Sequence, residues 1–362
     1  MLLTAVLVSN LNKGMHMKAM VLTSIDQLEM VDIDKPQIQN DTDVLIKIAA
    51  VGVCGSDVHY YSSGKIGTQI VKYPFIVGHE CAGTVEAVGS GVTDLKAGDR
   101  IAVDPAVSCF NCDQCNAGRH HTCRSLTFLG CPGQIAGCLC EYIVMPEASC
   151  YKLKDTMTMT QAAISEPLAI GVYAVKRSIP MKGAKVGILG AGPIGFSVML
   201  PALAQGAEKI YVTDKIDARL NIAKEHGAAW VGNPDSTDIV REINDLEQGQ
   251  LDVVFDCCGD QAALNQALEI LKPGGKLMLI GIPTDNRISF DINHLRHKEI
   301  CIQNVRRQVD CVQPALDMID DGSIDVDFMA THNFTFEQTK EAFDLVAGYK
   351  DGVLKAMIQL TD

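Results

Sequence analysis

The chain has 362 residues, long enough for two domains that each bury a core, and its 47% apolar and 21% charged composition is globular rather than disordered. A formal net charge of −13 with no long basic run excludes nucleic acid and an anionic membrane surface as main partners, since both reward stripes of Lys and Arg. No apolar run reaches the ~20 residues needed to span a bilayer.

Met1 to Val8 is apolar but short, without a basic flank or a small-residue cleavage site. Residues 1–16 therefore read as an extension or a misplaced start without a role, ahead of a first strand over Lys18–Leu22. Of the 14 cysteines, four cluster tightly, and others such as Cys81, Cys257, Cys258 and Cys301 sit in strand-like apolar runs. That usage suits a reducing cytoplasm, where thiols bind metal or pack, more than a secreted disulfide scaffold.

Between Met17 and Cys150 the pattern predicts strands over Lys18–Leu22, Val44–Ile48, Ala82–Val88, Arg100–Val103 and Glu141–Val144, joined by long loops. Two of these strands flank the segment Cys54-Gly55-Ser56-Asp57-Val58-His59 … Gly78-His79-Glu80. One thiol, two imidazoles and two carboxylates within so short a stretch make a candidate pocket for a divalent transition metal. Any one of them alone would read as a packed thiol or a hydrogen-bonded core histidine.

Further on, Cys109, Cys112, Cys115 and Cys123 form two C-x-x-C steps sharing a middle cysteine, with a fourth thiol eight residues later. Four sulfurs at that spacing suit one closed, tetrahedral structural zinc. His120 and His121, between the third and fourth thiols, then read as solvated loop histidines, because the thiols already fill the site.

Near residue 165 the texture changes. Glu166-Pro167 opens a helical pattern carried by Leu168, Val172 and Val175, which places Glu166 at a helix entrance, favoured there by the helix dipole. Alternating strands and helices follow, with strands over Lys185–Leu189, Ile210–Thr213, Val231–Gly232, Val253–Asp256 and Lys276–Ile280, the order that builds parallel βαβ units. Gly190-Ala191-Gly192-Pro193-Ile194-Gly195 lies between the first of these strands and a helix, and Asp214 ends the next strand 24 residues after Gly190. That context makes the glycine pattern a dinucleotide fingerprint: the glycines shape a turn against a pyrophosphate and Asp214 takes ribose hydroxyls. Asp214 favours NAD over NADP, while Lys215 and Arg219 stand where a basic group can meet an extra phosphate. The last segment, from Val305 to a strand-like Val353–Leu360, is expected to return to the first domain.

Gly78-His79-Glu80-x-x-Gly83, then Gly89 and Val92, resembles the zinc-containing alcohol dehydrogenase pattern of the medium-chain dehydrogenase/reductase superfamily. The resemblance extends over nearly all of the chain after Met17, through Cys54, the four-cysteine lobe, Glu166-Pro167-Leu168 and Gly190 to Asp214. It implies an α/β protein with a GroES-like β-rich catalytic domain over residues 17–166, a doubly wound Rossmann NAD-binding domain over 167–304, and a return over 305–362. Cys54 to Tyr61 together with Glu166-Pro167-Leu168 is most similar to the sorbitol (L-iditol) and xylitol dehydrogenase branch. That likeness implies a catalytic zinc on Cys54, His79 and Glu166 with Glu80 nearby, and a structural zinc on Cys109, Cys112, Cys115 and Cys123. The capping reading of Glu166 becomes the minor one.

By the same resemblance, zinc activates a secondary hydroxyl, a hydride passes to NAD, and Ser56 and His59 relay the proton to solvent. Asp57 is expected to orient His79, and Tyr60, Phe128 and Arg307 to contact the polyol. Gly190, Gly192, Pro193, Ile194, Gly195, Asp214 and Arg219 form the expected cofactor set. Where several polyol dehydrogenases carry Arg-Tyr, this chain reads Arg307-Gln308, which leaves the sugar alcohol open. The resemblance also admits L-threonine 3-dehydrogenase or another secondary-alcohol or diol dehydrogenase. Intact Cys54, His79 and Glu166 weigh against a third reading, a non-catalytic nucleotide sensor. A homo-tetramer or homo-dimer is implied by the resemblance alone.

Overall fold

The computed structural model describes residues 16–283 and 287–360. The predicted N-terminal extension lies outside the described residues except for His16, which opens the first strand. β1 (His16–Ser24) and β2 (Gln27–Asp34) form an antiparallel hairpin. β3 (Asp43–Gly52) has every residue but Lys47 buried, as a strand with partners on both edges requires.

β3 pairs antiparallel with β4 (Glu80–Val88), which in turn pairs with β5 (Arg100–Val103). Along its first half β3 also pairs with β6 (Tyr142–Pro146), and β5 pairs with β7 (Cys150–Lys152). All five predicted strands of this half therefore lie in or overlap observed ones. The GroES-like β-rich architecture is the one observed.

The second sheet has six parallel strands: β8 (Lys185–Leu189), β9 (Lys209–Thr213), β10 (Trp230–Gly232), β11 (Leu251–Asp256), β12 (Leu271–Leu279) and β13 (Cys301–Asn304). Their spatial order is β10-β9-β8-β11-β12-β13, so the direction of winding reverses between β8 and β11. Alternation along the strands shows both faces buried. Val186, Ile188, Val253 and Phe255 enter one apolar cluster, and Leu189, Val254 and Leu277 enter another. This is the doubly wound Rossmann arrangement.

Two late strands, β14 (His332–Thr335) and β15 (Ala356–Gln359), join the first sheet rather than the second. β15 pairs antiparallel with the far end of β3, Met357 opposite Gly52.

The helix that carries Glu166 begins earlier than predicted. Near the N-terminus, α1 (Gly55–Ser63) follows Cys54; the next long helix, α2, spans Met159–Arg177 and puts Glu166 in its interior. The starting signal is the pair Thr158 and Gln161: Thr158 Oγ1 accepts the Gln161 N–H at 3.1 Å and Gln161 Oε1 accepts the Thr158 N–H at 2.9 Å. Pro167, expected in a first helical turn, sits inside the helix, where it deprives the Ala163 carbonyl of its usual donor. α2 runs through residues 166 and 167 and packs on β3, β4 and β5 as well as on α3 (Pro193–Ala204) of the nucleotide half. Its apolar residues join one cluster with Ala50, Ala82 and Ala102 of the first sheet and Val186 and Phe255 of the second.

Among the described residues no helix is long and apolar enough to cross a membrane. Because α2 carries the junction between the sheets, loss of its reciprocal cap should be felt globally. Thr158→Ala is expected to lower the unfolding free energy by about 1 kcal/mol, and Thr158→Ser by less, read from the urea midpoint at unchanged slope.

Candidate metal centre and nucleotide loop

The register of two strands assembles the first cluster. Gly52 lies opposite Glu80 in the β3–β4 ladder, so Cys54, just beyond β3, and His79, just before β4, emerge at the same end of the sheet. Cys54 Sγ, a His79 ring nitrogen and a Glu80 carboxylate oxygen lie within 4.8 Å of one another. Asp57, fully buried in the first turn of α1, accepts the Gly78 N–H at 3.1 Å and stands 3.2 Å from His79 Nδ1. With Nδ1 turned to that carboxylate, Nε2 is the nitrogen left to ligate. Burial alone would depress the His79 imidazolium, but the Asp57 carboxylate and the Cys54 thiol group outweigh it and hold the pKa well above its ordinary value.

Glu166 is buried, and among the described residues no hydrogen bond reaches its carboxylate. Burial pushes its pKa up to about 8; His79 opposes the rise, and Glu80 and Asp104 add to it. A buried carboxylate that feels the charge of a neighbouring imidazole has the chemistry of a cation ligand. Glu166 is outside the set whose ligand atoms all fall within 4.8 Å, whereas Glu80 is inside it. Glu80 is nevertheless claimed by a partner the sequence reading missed: Lys355 Nζ donates to its two carboxylate oxygens at 2.8 and 2.6 Å. The available signal was a lone lysine in the apolar run Val353-Leu354-Lys355-Ala356-Met357-Ile358.

Around the cluster stand the expected wall residues. The Phe128 ring centroid is 5.3 Å from that of His79, and the Arg307 guanidinium lies 3.6 Å above the Phe128 ring. Among the described residues Arg307 Nη1 is buried without a hydrogen-bond partner, and burial with neighbouring Arg306 brings the guanidinium pKa down to about 10. Gln308, beside it, gives its amide to Asp104 at 2.7 Å and accepts the Cys311 N–H at 3.0 Å, so its side chain is committed to the scaffold. Tyr60 donates to Gln69 at 3.0 Å, and Gln69 donates to the Cys131 sulfur at 2.9 Å; neither Gln69 nor Cys131 stands out in the sequence. Ser56 Oγ donates to Cys54 Sγ at 3.3 Å. His59, two residues past Asp57 on α1, is exposed, and among the described residues it makes no hydrogen bond, so no direct Ser56–His59 link is present.

The four-cysteine lobe closes as its spacing predicts. Sulfur separations are 3.6 Å for Cys112–Cys115, 3.9 Å for Cys112–Cys123 and 3.4 Å for Cys123–Cys109, and all four lie within 4.8 Å of one another as free thiols. Zinc–sulfur bonds of ~2.3 Å give tetrahedral edges of about 3.8 Å, so the lobe fits one zinc. His121 departs from its expected place in solvent: it is buried, with Nε2 3.0 Å from the Tyr173 hydroxyl of α2. The pairing of a loop imidazole with a phenol on a distant helix ties the lobe to the central helix, and nothing local in the sequence signals it.

At the reversal point of the second sheet, Gly190 has φ +104° and its carbonyl would lie 2.0 Å from a Cβ on Gly195. Neither position takes a side chain without movement. α3 starts at Pro193 with Gly192 as its N-cap and no side-chain cap, which leaves first-turn N–H groups, Ile194 among them, for an anion. Asp214 accepts the N–H of Ala191 at 2.7 Å and of Ile216 at 2.8 Å, which fixes the carboxylate beside the loop with lone pairs to spare. The fit to a dinucleotide is good. Arg219 is buried beneath it, with Nε giving 2.9 Å to the Val353 carbonyl, so its guanidinium is engaged with the C-terminal segment.

Residues 40–155 match the family described as "Alcohol dehydrogenase GroES-like domain", and residues 193–321 match "Zinc-binding dehydrogenase". Sorbitol dehydrogenase of Bacillus subtilis (strain 168) is 36% identical over 344 residues, covering 95% of this chain and 97% of that protein. Sorbitol dehydrogenase of Bombyx mori is 38% identical over 334 residues, 90% and 94% of the two chains. The crystal structure of an Escherichia coli oxidoreductase/dehydrogenase of unknown specificity superposes with a TM-score of 0.89 at 31% identity, covering 96% of this chain and all of the other.

The raised Glu166 carboxyl makes a proton-counting test available. At about pH 7 it is protonated, since its pKa lies near 8, and it must ionise to ligate. Zinc added to metal-free protein should release about one more proton from the parent than from Glu166→Gln, with the gap closing as pH rises through the Glu166 pKa. Calorimetry in buffers of different ionisation enthalpy measures the difference. Equal release from both proteins would remove Glu166 from the ligand set.

Proposed function

Because the chain belongs to the family of zinc-binding dehydrogenases with a GroES-like domain, we propose that it is an NAD- and zinc-dependent polyol dehydrogenase that oxidises a secondary hydroxyl of a sorbitol- or xylitol-type sugar alcohol to a ketose. The observation that carries the reading is the donor cluster: the Cys54 thiol and the His79 imidazole, oriented by buried Asp57, lie within ligand distance of each other with Glu80, and the buried Glu166 carboxyl feels the His79 charge, so carboxylates stand where a second thiol would otherwise be. The sorbitol dehydrogenases among the relatives support the same substrate class.

Bound zinc supplies Lewis-acid polarisation of the reacting hydroxyl, and bound NAD supplies the hydride acceptor. Cys54, His79 and Glu166 would hold the ion, and a thiolate and a carboxylate would offset its two positive charges. A carboxylate is a harder ligand than a second thiolate, which suits an ion that must hold a hydroxyl of a polyol. Asp57 fixes the His79 tautomer through Nδ1. Arg307, stacked on Phe128, brings its unpartnered Nη1 to substrate hydroxyls, and Tyr60 lines the same wall. Ser56, at the Cys54 sulfur, starts the proton's exit, which continues through water toward exposed His59.

The loop from Gly190 through Gly195 takes the pyrophosphate on backbone N–H groups, and Asp214 takes ribose hydroxyls and repels a 2′-phosphate. Arg219 supports the loop from below. Cys109, Cys112, Cys115 and Cys123 would hold a structural zinc that orders their lobe. A homo-tetramer or homo-dimer built through the nucleotide half completes the reading.

The test is NAD+ reduction followed by absorbance with sorbitol, xylitol, galactitol, L-threonine, 2,3-butanediol and ethanol, repeated with NADP+. Sorbitol or xylitol with NAD+ should give the highest kcat/KM. Activity confined to L-threonine would transfer the assignment to a threonine 3-dehydrogenase. Glu166→Ala should abolish turnover while the four-thiol lobe keeps its zinc, as metal analysis would show; a fully active Glu166→Ala protein would return Glu166 to a structural role.

A further inference from the structure

The wall beside the metal cluster fixes the polarity of one hydroxyl. α1 stops at Gly64, whose φ of +67° and N–H to the Tyr60 carbonyl at 3.1 Å turn the chain back, and the Val71 N–H then returns to the Gly64 carbonyl at 2.8 Å. Between these points Lys65–Ile66 pairs antiparallel with Gln69–Ile70. Side chains alternate across so short a ladder, so Ile70 is 64% exposed while Gln69 turns inward over Tyr60. From the other side comes a turn in which the Phe128 carbonyl accepts the Cys131 N–H at 3.2 Å. Gly130 lets this turn press on the residue before His79: a Cβ there would lie 2.6 Å from the Gly78 carbonyl oxygen. Phe128 and Cys131 thereby reach the site together, with Arg307 stacked on the ring.

Two side chains grip the Gln69 amide. Its Oε1 accepts the Tyr60 hydroxyl proton at 3.0 Å and its Nε2 donates to Cys131 Sγ at 2.9 Å, while Tyr60 Oη and Cys131 Sγ stand 4.0 Å apart. Tyr60 and Cys131 are both buried. A phenol has one proton to give and lone pairs to receive another. With that proton committed to Gln69, Tyr60 offers a further partner only lone pairs. Arg307 Nη1, which among the described residues has no partner, offers only a donor. A substrate hydroxyl satisfies both, since it gives one hydrogen bond and accepts another.

We propose that Gln69, steadied by Cys131, is a positioning residue for substrate specificity: it holds Tyr60 as a hydrogen-bond acceptor, so that the wall selects a polyol with a hydroxyl at one carbon away from the reacting one. The proposal rests on the polyol reading above and names the part of the substrate that the wall reads. Without the amide, the Tyr60 O–H is free to rotate into the site. Two donors then face the substrate hydroxyl, whose own proton is left without an acceptor, and the preference for a hydroxyl over a hydrogen at that carbon fades.

The test is a cycle of substrates and variants. The polyol that the parent turns over best is compared with those of its monodeoxy analogues that keep the reacting hydroxyl. One analogue, lacking the hydroxyl read by the wall, should fall at least about tenfold in kcat/KM. Gln69→Met should lower kcat/KM for the full polyol by a similar factor, mostly through KM, and do the same on the other analogues, yet lower that one analogue hardly further. A general loss of structure would instead lower all substrates alike. Cys131→Ser, which still accepts from the amide, should keep the parent's pattern, and Cys131→Val, which does not, should shift it toward that of Gln69→Met. A parent that ranks every deoxy analogue equally, or a folded Gln69→Met protein whose loss on the one analogue adds in full to the parent's, overturns the proposal. Were Gln69→Met not to fold, Cys131→Val carries the same comparison. A parent that oxidises no polyol defeats the polyol reading itself.

Discussion

The antiparallel register between β3 and β4 is the constraint from which the metal site follows. Opposition of Gly52 and Glu80 brings the residues just past one strand and just before the next to a common edge, which converts a sequence separation of 25 between Cys54 and His79 into neighbouring ligand atoms. A slip of one residue would turn Glu80 to the other face of the sheet and carry His79 away with it. The register is held by burial: Val44, Ile46, Ile48 and Val51 of β3 and Cys81 and Val85 of β4 share one apolar cluster. The geometry of the ligand cluster is here a by-product of core packing.

Into that edge the fold places an unusual density of buried charge. Asp57, His79, Glu80, Glu166 and Lys355 are all buried, and each would be costly alone. They are paired by role. Asp57 answers His79, Lys355 answers Glu80, and Glu166 is left without a donor. Isolated buried ion pairs contribute little net stability compared with apolar residues of the same size. The arrangement is better explained by what it leaves over: a carboxylate held near pKa 8 by burial, available to a cation and to little else.

Motifs whose parts lie close in sequence were legible in advance. The four thiols, the glycine loop with Asp214, and the strand-helix alternation follow from spacing and periodicity, and the structure brings each together. Only the family resemblance points to Glu166 as a ligand, and its place inside the helix is masked in the sequence because Pro167 resembles a first-turn proline whereas the Thr158–Gln161 pair is the true start. Lys355, Tyr173 with His121, and Gln69 with Cys131 were not legible at all. Each depends on contact between residues far apart in the chain, 275 positions for Lys355 and Glu80, and composition or period carries no information at that range.

The C-terminal segment shows why the chain returns to its first sheet. Arg219, from the helix that follows Asp214, holds the Val353 carbonyl; the Leu354 N–H is held by Thr331 Oγ1 at 3.0 Å; Lys355 then reaches Glu80 and Val53. Three consecutive residues are thus fixed in turn by the nucleotide half, by the turn before β14, and by the metal edge. Were the chain to end at β13, Glu80 would lose its ammonium partner and β3 one of its strand partners, and the buried guanidinium of Arg219 would lose its acceptor. The return therefore satisfies polar groups in both halves at once.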